Sequence, residues 1–538
     1  MKTYIKNIIP AAAFILAVGF TSCTGDLDVT PIDPNLETDI EPEALFNKCY
    51  ANIAVAGNGG ANGDCDVDGI DGGTSGYYRQ MWNEQELTTD EVFCSWGDEG
   101  ISGFCYNTYD ASHPMLRGFY YRLYVAITFC NQYIDQYGDY DPQMTAEIRF
   151  LRAYHYYHLV DGWGNVPLVT SISSEKPTQA SRAEVYNFIE SELLDVENQL
   201  AAPKAKKSTD DGYGRPDRAA AWLLLARLYL NAEVYTGTAQ WAKAAQYAQQ
   251  VMTSNYELNT KGVGKWSAYR MLFMGDNGET DAAKEFIFPL LQDGKRTTSW
   301  GCSLYLIAAP WKSDLMFEHP TDPTQTNGTT AGWQGHRARP QLVAKFFPKG
   351  DAPIGLRGLE MTEAASDDRA LFNSVDRTLN IDEVSVFENG FGYVKFVNFK
   401  TDGSAGHDQE KPDMDVPLMR KAEAYLIYAE ATARQSGGNA TSDGINALNT
   451  LRQRANASAK SSFTLDEICD EWSREFFAEG LRRTTLIRFN KYGGTTDYQW
   501  QWKGGSHDGR DFAATRNLFP IPTTDLVANS NLTQNPGY

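Results

Sequence analysis

Apolar residues recur every three to four positions through much of this chain, the spacing of amphipathic helices. Between 145 and 160, Ile148, Leu151, His155 and Leu159 fall on one helical face and Phe150, Tyr154 and Tyr157 on a second. A helix apolar on two faces has to be covered on both. Residues 218–235 and 240–252 predict a helical hairpin split at Thr236-Gly237-Thr238. Residues 419–435 place Ala422, Tyr425, Leu426, Ala429 and Ala433 at spacings of three and four, and the alanines permit close helix–helix approach. A further helical pair is predicted around Gly480, over 464–489. The better strand patterns, 286–291 and 393–398, lie within residues 253–415, where loop chemistry concentrates. The pattern predicts a mainly α fold of tetratricopeptide-like helix pairs, without a visible 34-residue period, carrying a loop-rich, partly β insertion at about 253–415.

The N-terminus breaks this pattern. Lys2 and Lys6 precede an apolar stretch, 8–20, interrupted by Pro10 and too short to span a bilayer. Small residues then lead to Cys23 in Gly19-Phe20-Thr21-Ser22-Cys23, which resembles a bacterial lipobox. The expected organisation is a cleaved lipoprotein signal over 1–22, an acylated Pro- and Asp-rich tether over 23–41, and one body over 42–538. Lipid on Cys23 is the only membrane attachment expected, since no later run reaches 18 apolar residues.

Composition narrows the partners. With 48 Lys and Arg against 69 Asp and Glu in 538 residues, the chain carries a formal charge of −21 and repels phosphate backbones, so no nucleic-acid partner is expected. Seven cysteines follow Cys23, an odd number with no C-x-x-C; most read as buried small hydrophobes, and whether Cys94 and Cys105 pair stays open. Hydrolase motifs of the G-x-S-x-G and H-E-x-x-H types and a P-loop are missing, and His155 with His158 fits a packed helix better than a metal site. No cofactor is expected. Asp64-Cys65-Asp66-Val67-Asp68-Gly69 matches half of a calcium loop but places Ser75 where the bidentate Glu belongs, so a structural calcium is a candidate only.

Several longer stretches carry a resemblance. They are Gly25-Asp26-Leu27-Asp28, Glu86-Leu87-Thr88-Thr89-Asp90-Glu91, Glu147-Ile148-Arg149-Phe150-Leu151-Arg152, Trp163-Gly164-Asn165-Val166-Pro167, the 218–231 and 471–483 segments and Asn535-Pro536-Gly537-Tyr538. On these the chain resembles the SusD/RagB family of Bacteroidetes glycan-binding surface lipoproteins over essentially its whole length, and is most similar to the starch-binding branch. The resemblance implies a non-catalytic outer-membrane lipoprotein, exposed at the cell surface, that captures α-glucan oligosaccharide and passes it to a SusC-like TonB-dependent transporter. It also implies that an arc of aromatics at Trp96, Trp300 and Trp333 stacks on sugar while Arg79 and Asp71 hydrogen-bond beside it. Trp300 replaces the usual Tyr, and Gly97-Asp98-Glu99-Gly100 departs from the branch. A family calcium loop falls near Asp276 and Gly278, where Gly278 replaces a carboxylate.

The residues themselves agree with stacking. Each of these tryptophans sits among Gly, Ser or Ala, the context of a loop aromatic, whereas Trp311 and Trp472 lie in apolar or helical surroundings and read as core. A flat ring covers the apolar C–H face of a sugar and contributes about 1 kcal/mol beyond area burial. Rival readings are another glycan or a peptide as cargo, and a surface glycoside hydrolase.

Overall fold

The computed structural model describes residues 40–57, 65–297, 299–312 and 326–538. Cys23, the signal and all but the end of the tether lie outside the described residues, as does Asp64 of the calcium-like loop. The chain divides into residues 1–45 and a body of residues 46–538.

Seventeen helices are described: α1 Pro42–Ala54, α2 Tyr77–Glu86, α3 Ile101–Cys105, α4 Pro114–Tyr137, α5 Pro142–Gly162, α6 Arg182–Val196, α7 Arg218–Leu230, α8 Ala232–Thr236 and α9 Trp241–Met252. The remainder are α10 Ser303–Ala308, α11 Pro340–Ala344, α12 Leu359–Ala365, α13 Lys421–Gln435, α14 Ser442–Arg454, α15 Leu465–Phe476, α16 Arg482–Arg488 and α17 Thr523–Ala528. They stack in pairs: α4 packs on α5 and α5 on α6, while α7, α9, α13 and α14 follow one another in the same way. Helix α5 is buried almost all round, as its two apolar faces require, with His155 and His158 both inside. His155 meets the Tyr77 hydroxyl at 3.0 Å, and burial with the nearby Arg227 charge brings His158 down to about 3, so it stays neutral.

Buried ion pairs fasten the helices. Arg420, Arg454 and Arg369 interleave with Glu285, Glu475 and Glu471 at zero side-chain exposure, an arrangement that holds only because each charge is paired.

Several sequence boundaries move, for identifiable reasons. The helix over 218–235 breaks at Asn231, whose amide donates to the Arg227 carbonyl at 2.9 Å. Met419 and Arg420 belong to a strand, Val416–Arg420, that pairs antiparallel with Phe286–Leu290. The predicted strand 393–398 shrinks to Gly392–Tyr393. Its backbone N–H groups go to three different segments: Val394 to Leu371, Val397 to Phe273 and Asn398 to Asn327. No single neighbour remains to form a ladder. All seven described cysteines are free and six are buried; the Cys94 N–H points at the Cys105 sulfur at 3.4 Å.

Candidate functional site: an aromatic cleft

Two strands place the first pair of rings. β1, Val92–Cys94, pairs antiparallel with β2, His336–Ala338, with Cys94 opposite His336. Trp96 leaves the end of β1 just as Trp333 enters β2 at the same end, so antiparallel register alone brings them together. Their ring centroids are 6.2 Å apart, and the Trp96 indole N–H donates to the Trp333 carbonyl at 2.8 Å. Segment 333–336 is laced to the end of α10 through Trp333 N–H and Gly335 N–H, which donate to the carbonyls of Ala308 and Ala309 at 2.9 and 2.8 Å. Gly335 is required here: a Cβ would stand 2.3 Å from the Trp96 ring.

Trp300 comes from the segment entering α10. Gly301 lies so close to Gly76 and Arg79 that this segment rests against the start of α2. The Trp300 and Trp333 centroids are 6.4 Å apart at 44°. All three indoles are half-buried and line one open cleft of about 420 Å³, with Asp71, Gly73, Thr74, Arg79 and Asp98. Every cleft residue expected from the sequence is thus in one place, and Trp311 and Trp472 are buried as core.

Arg79, on the first turn of α2, has its guanidinium 4.7 Å from the Tyr305 ring centroid and 5.6 Å from that of Trp96. One nitrogen donates to the Gly73 carbonyl at 2.9 Å. Its Nε is buried without a hydrogen-bond partner among the described residues. Asp71 shapes the adjoining turn: its Oδ1 accepts the Thr74 N–H at 3.0 Å and its carbonyl accepts the Ser75 N–H at 2.9 Å.

The floor beneath the rings was not legible beforehand. His336 is stacked 4.6 Å from Trp82 and lies 5.4 Å from Trp96. Burial, helped by Arg79 and Arg337, drives its imidazole well below its ordinary range, so it is neutral. It contacts the Tyr305 and Tyr393 hydroxyls, each at 3.0 Å, and Tyr305 donates to Asn83. That donation makes Tyr305 the acceptor from Nε2–H and leaves Nδ1 to accept from Tyr393. The network continues from Asn83 to Gln80 at 3.2 Å and from Gln80 to the Thr74 carbonyl at 2.6 Å, at the cleft wall. No sequence signal marks Tyr305 or His336, because neither stands in a recognisable motif.

Asp66 pairs with Arg122 and, at 3.6 Å, with Lys48, so its carboxylate is engaged by cations from the chain itself. Asp276 accepts from Thr401 at 2.6 Å. Among the described residues no group of three or more His, Cys, Asp or Glu is placed to hold a metal ion.

A helix-pair scaffold carrying an indole-lined open cleft, edged by one guanidinium and two carboxylates, defines a class of ligand-holding protein. The chain belongs to the SusD family. A family described as "SusD family" matches residues 365–538, and one described as "Starch-binding associating with outer membrane" matches residues 27–230. The starch-binding protein SusD of Bacteroides thetaiotaomicron is 39% identical, with both chains covered in full. SusD-like protein P2 of Formosa agariphila is 24% identical over 82% of this chain and 85% of its own. Among solved structures, a SusD superfamily protein from Parabacteroides distasonis matches with a TM-score of 0.66 at 20% identity, covering 92% of this chain and 98% of that one. Surface glycan-binding protein A from Bacteroides thetaiotaomicron, in complex with laminarihexaose, matches with a TM-score of 0.64 at 16% identity and the same coverage. These structures share the mainly α fold.

Proposed function

We propose that the protein is a non-catalytic surface lipoprotein that captures starch-like α-glucan oligosaccharides and hands them to a SusC-like TonB-dependent transporter of the outer membrane. Trp96, Trp300 and Trp333 stack on successive sugar faces, Arg79 donates to hydroxyls, Asp71 accepts from them, and Cys23 carries the lipid. The observation that carries this reading is the contiguity of three half-buried indoles, set at 57° and 44° to one another along one open cleft. Rings tilted in sequence follow a polymer that is itself curved, as an α-glucan is. The full-length identity to a protein named for starch binding supports the cargo, and the family description supports the outer-membrane location.

Calorimetry of the purified protein against maltoheptaose, amylose, dextran, laminarin, levan and mucin glycans tests the cargo. Saturable heat for maltoheptaose and amylose is expected, with weaker or no heat for the others. Equal weak heats throughout, or preference for a β-glucan, overturns the α-glucan reading. Co-purification of a TonB-dependent transporter with wild-type protein, lost when Cys23→Ala prevents anchoring, is the corresponding test of delivery.

A further inference from the structure

Trp300 is an end ring of the arc, next to Trp333, and one of its faces is taken. The Lys411 ammonium sits 3.0 Å from its ring centroid. That nitrogen is shut from solvent and has no hydrogen-bond partner among the described residues. An ammonium placed this way gives up its water without gaining an acceptor, which is costly unless the ring face compensates. Lys411 is not one of the residues lining the cleft. The ammonium thus covers one face of a ring that itself lines the cleft.

The loop that delivers Lys411 is itself fixed. The Asp408 side chain accepts the Lys411 N–H at 2.9 Å, the Asp408 carbonyl accepts from the Asn398 amide at 3.2 Å, and the Asp413 N–H donates back to Asn398 at 2.8 Å. The neighbouring Gln409 carbonyl takes the Thr330 N–H at 2.8 Å, which ties the loop to the segment leading into Trp333. The loop that carries Lys411 and the segment that carries Trp333 thus share one anchored frame.

We infer that Lys411 is a positioning residue of the cleft: its ammonium backs Trp300, fixes the plane of that indole and leaves only the opposite face open to ligand. The inference rests on the proposed stacking function. Its consequence is that Lys411 acts through Trp300 and through nothing else in the site.

The test is a double-mutant cycle read by calorimetry with maltoheptaose. K411M keeps the length of the side chain and removes its charge; it is expected to weaken binding three- to tenfold. K411R, whose guanidinium also covers an indole, is expected to stay within about threefold of wild type. In a W300A background, K411M is expected to add no further loss, whereas a merely structural lysine weakens both backgrounds alike. Unchanged or tighter binding by K411M, failure of K411R to rescue, or an equal loss in the W300A background overturns the inference. Should wild type bind none of the glycans, the functional reading falls and the backing role is read without ligand. The near-UV circular dichroism difference between wild type and W300F is then expected to collapse when K411M is introduced into both. Persistence of that difference also overturns the inference.

Discussion

Gly335 offers a way to disturb the arc without touching any ring. An alanine at 335 places its Cβ 2.3 Å from Trp96 Cε2 and 2.6 Å from Cζ2 and Nε1. Carbon atoms settle at ~3.5–4.0 Å, so one partner has to move by about 1 Å. The backbone is held on both sides, since Gly335 N–H donates to Ala309 at 2.8 Å and its carbonyl accepts from Ser95 at 3.0 Å. The indole is what yields, and it loses its bond to the Trp333 carbonyl. One hydrogen bond is worth about 1 kcal/mol and a well-placed aromatic contact about another. Loss of both amounts to about 2 kcal/mol, or roughly 30-fold in Kd for maltoheptaose. Calorimetry of G335A measures this, with far-UV circular dichroism and a thermal melt confirming that the fold survives. Binding within twofold of wild type by folded G335A refutes the claim that Trp96 must hold its place for sugar to bind.

Two further outcomes follow from the same geometry. R79M keeps the aliphatic stem but removes the donors beside Trp96 and Tyr305; it should weaken maltoheptaose about tenfold, the loss expected for a charge-assisted bond of about 1.5 kcal/mol, and an unchanged Kd contradicts the donor role. Glu471 is subject to burial, which pushes its carboxyl up, but Arg369, Arg474 and Arg452 outweigh it and bring it down to about 2. A carboxyl lowered in the folded state contributes stability that is complete above its ordinary value near 4.5 and is lost as pH falls toward 2; here that contribution is roughly 3 kcal/mol. Denaturant unfolding of wild type and E471Q between pH 2.5 and 7 should show the variant less stable at neutral pH and the gap closing in acid. A gap that does not change with pH contradicts the pairing.

The periodic helices were legible because one or two apolar faces sufficed to place them, as at α5. The longest of the described helices, α4, shows no single apolar stripe in sequence: its tyrosines and phenylalanines spread around the axis, and half-buried Tyr121 and Tyr124 blur it. The strand reading of 393–398 failed because alternation records burial, and these residues are buried by three separate segments rather than by a sheet. In the cleft, the family resemblance marks Trp96, Trp300 and Trp333, and their loop context agrees with it. What joins them was not readable, since the pairing of 92–94 with 336–338 is a tertiary choice across some 240 positions of chain. Lys411, Tyr305 and His336 were invisible for the same reason: each matters only through a ring that another segment supplies.

The most direct test is a crystal structure of the protein grown with maltoheptaose. The account predicts glucose rings packed against Trp96, Trp300 and Trp333, with hydroxyls in reach of Arg79 and Asp71. Ordered sugar bound elsewhere on the molecule, with these three indoles bare, contradicts it.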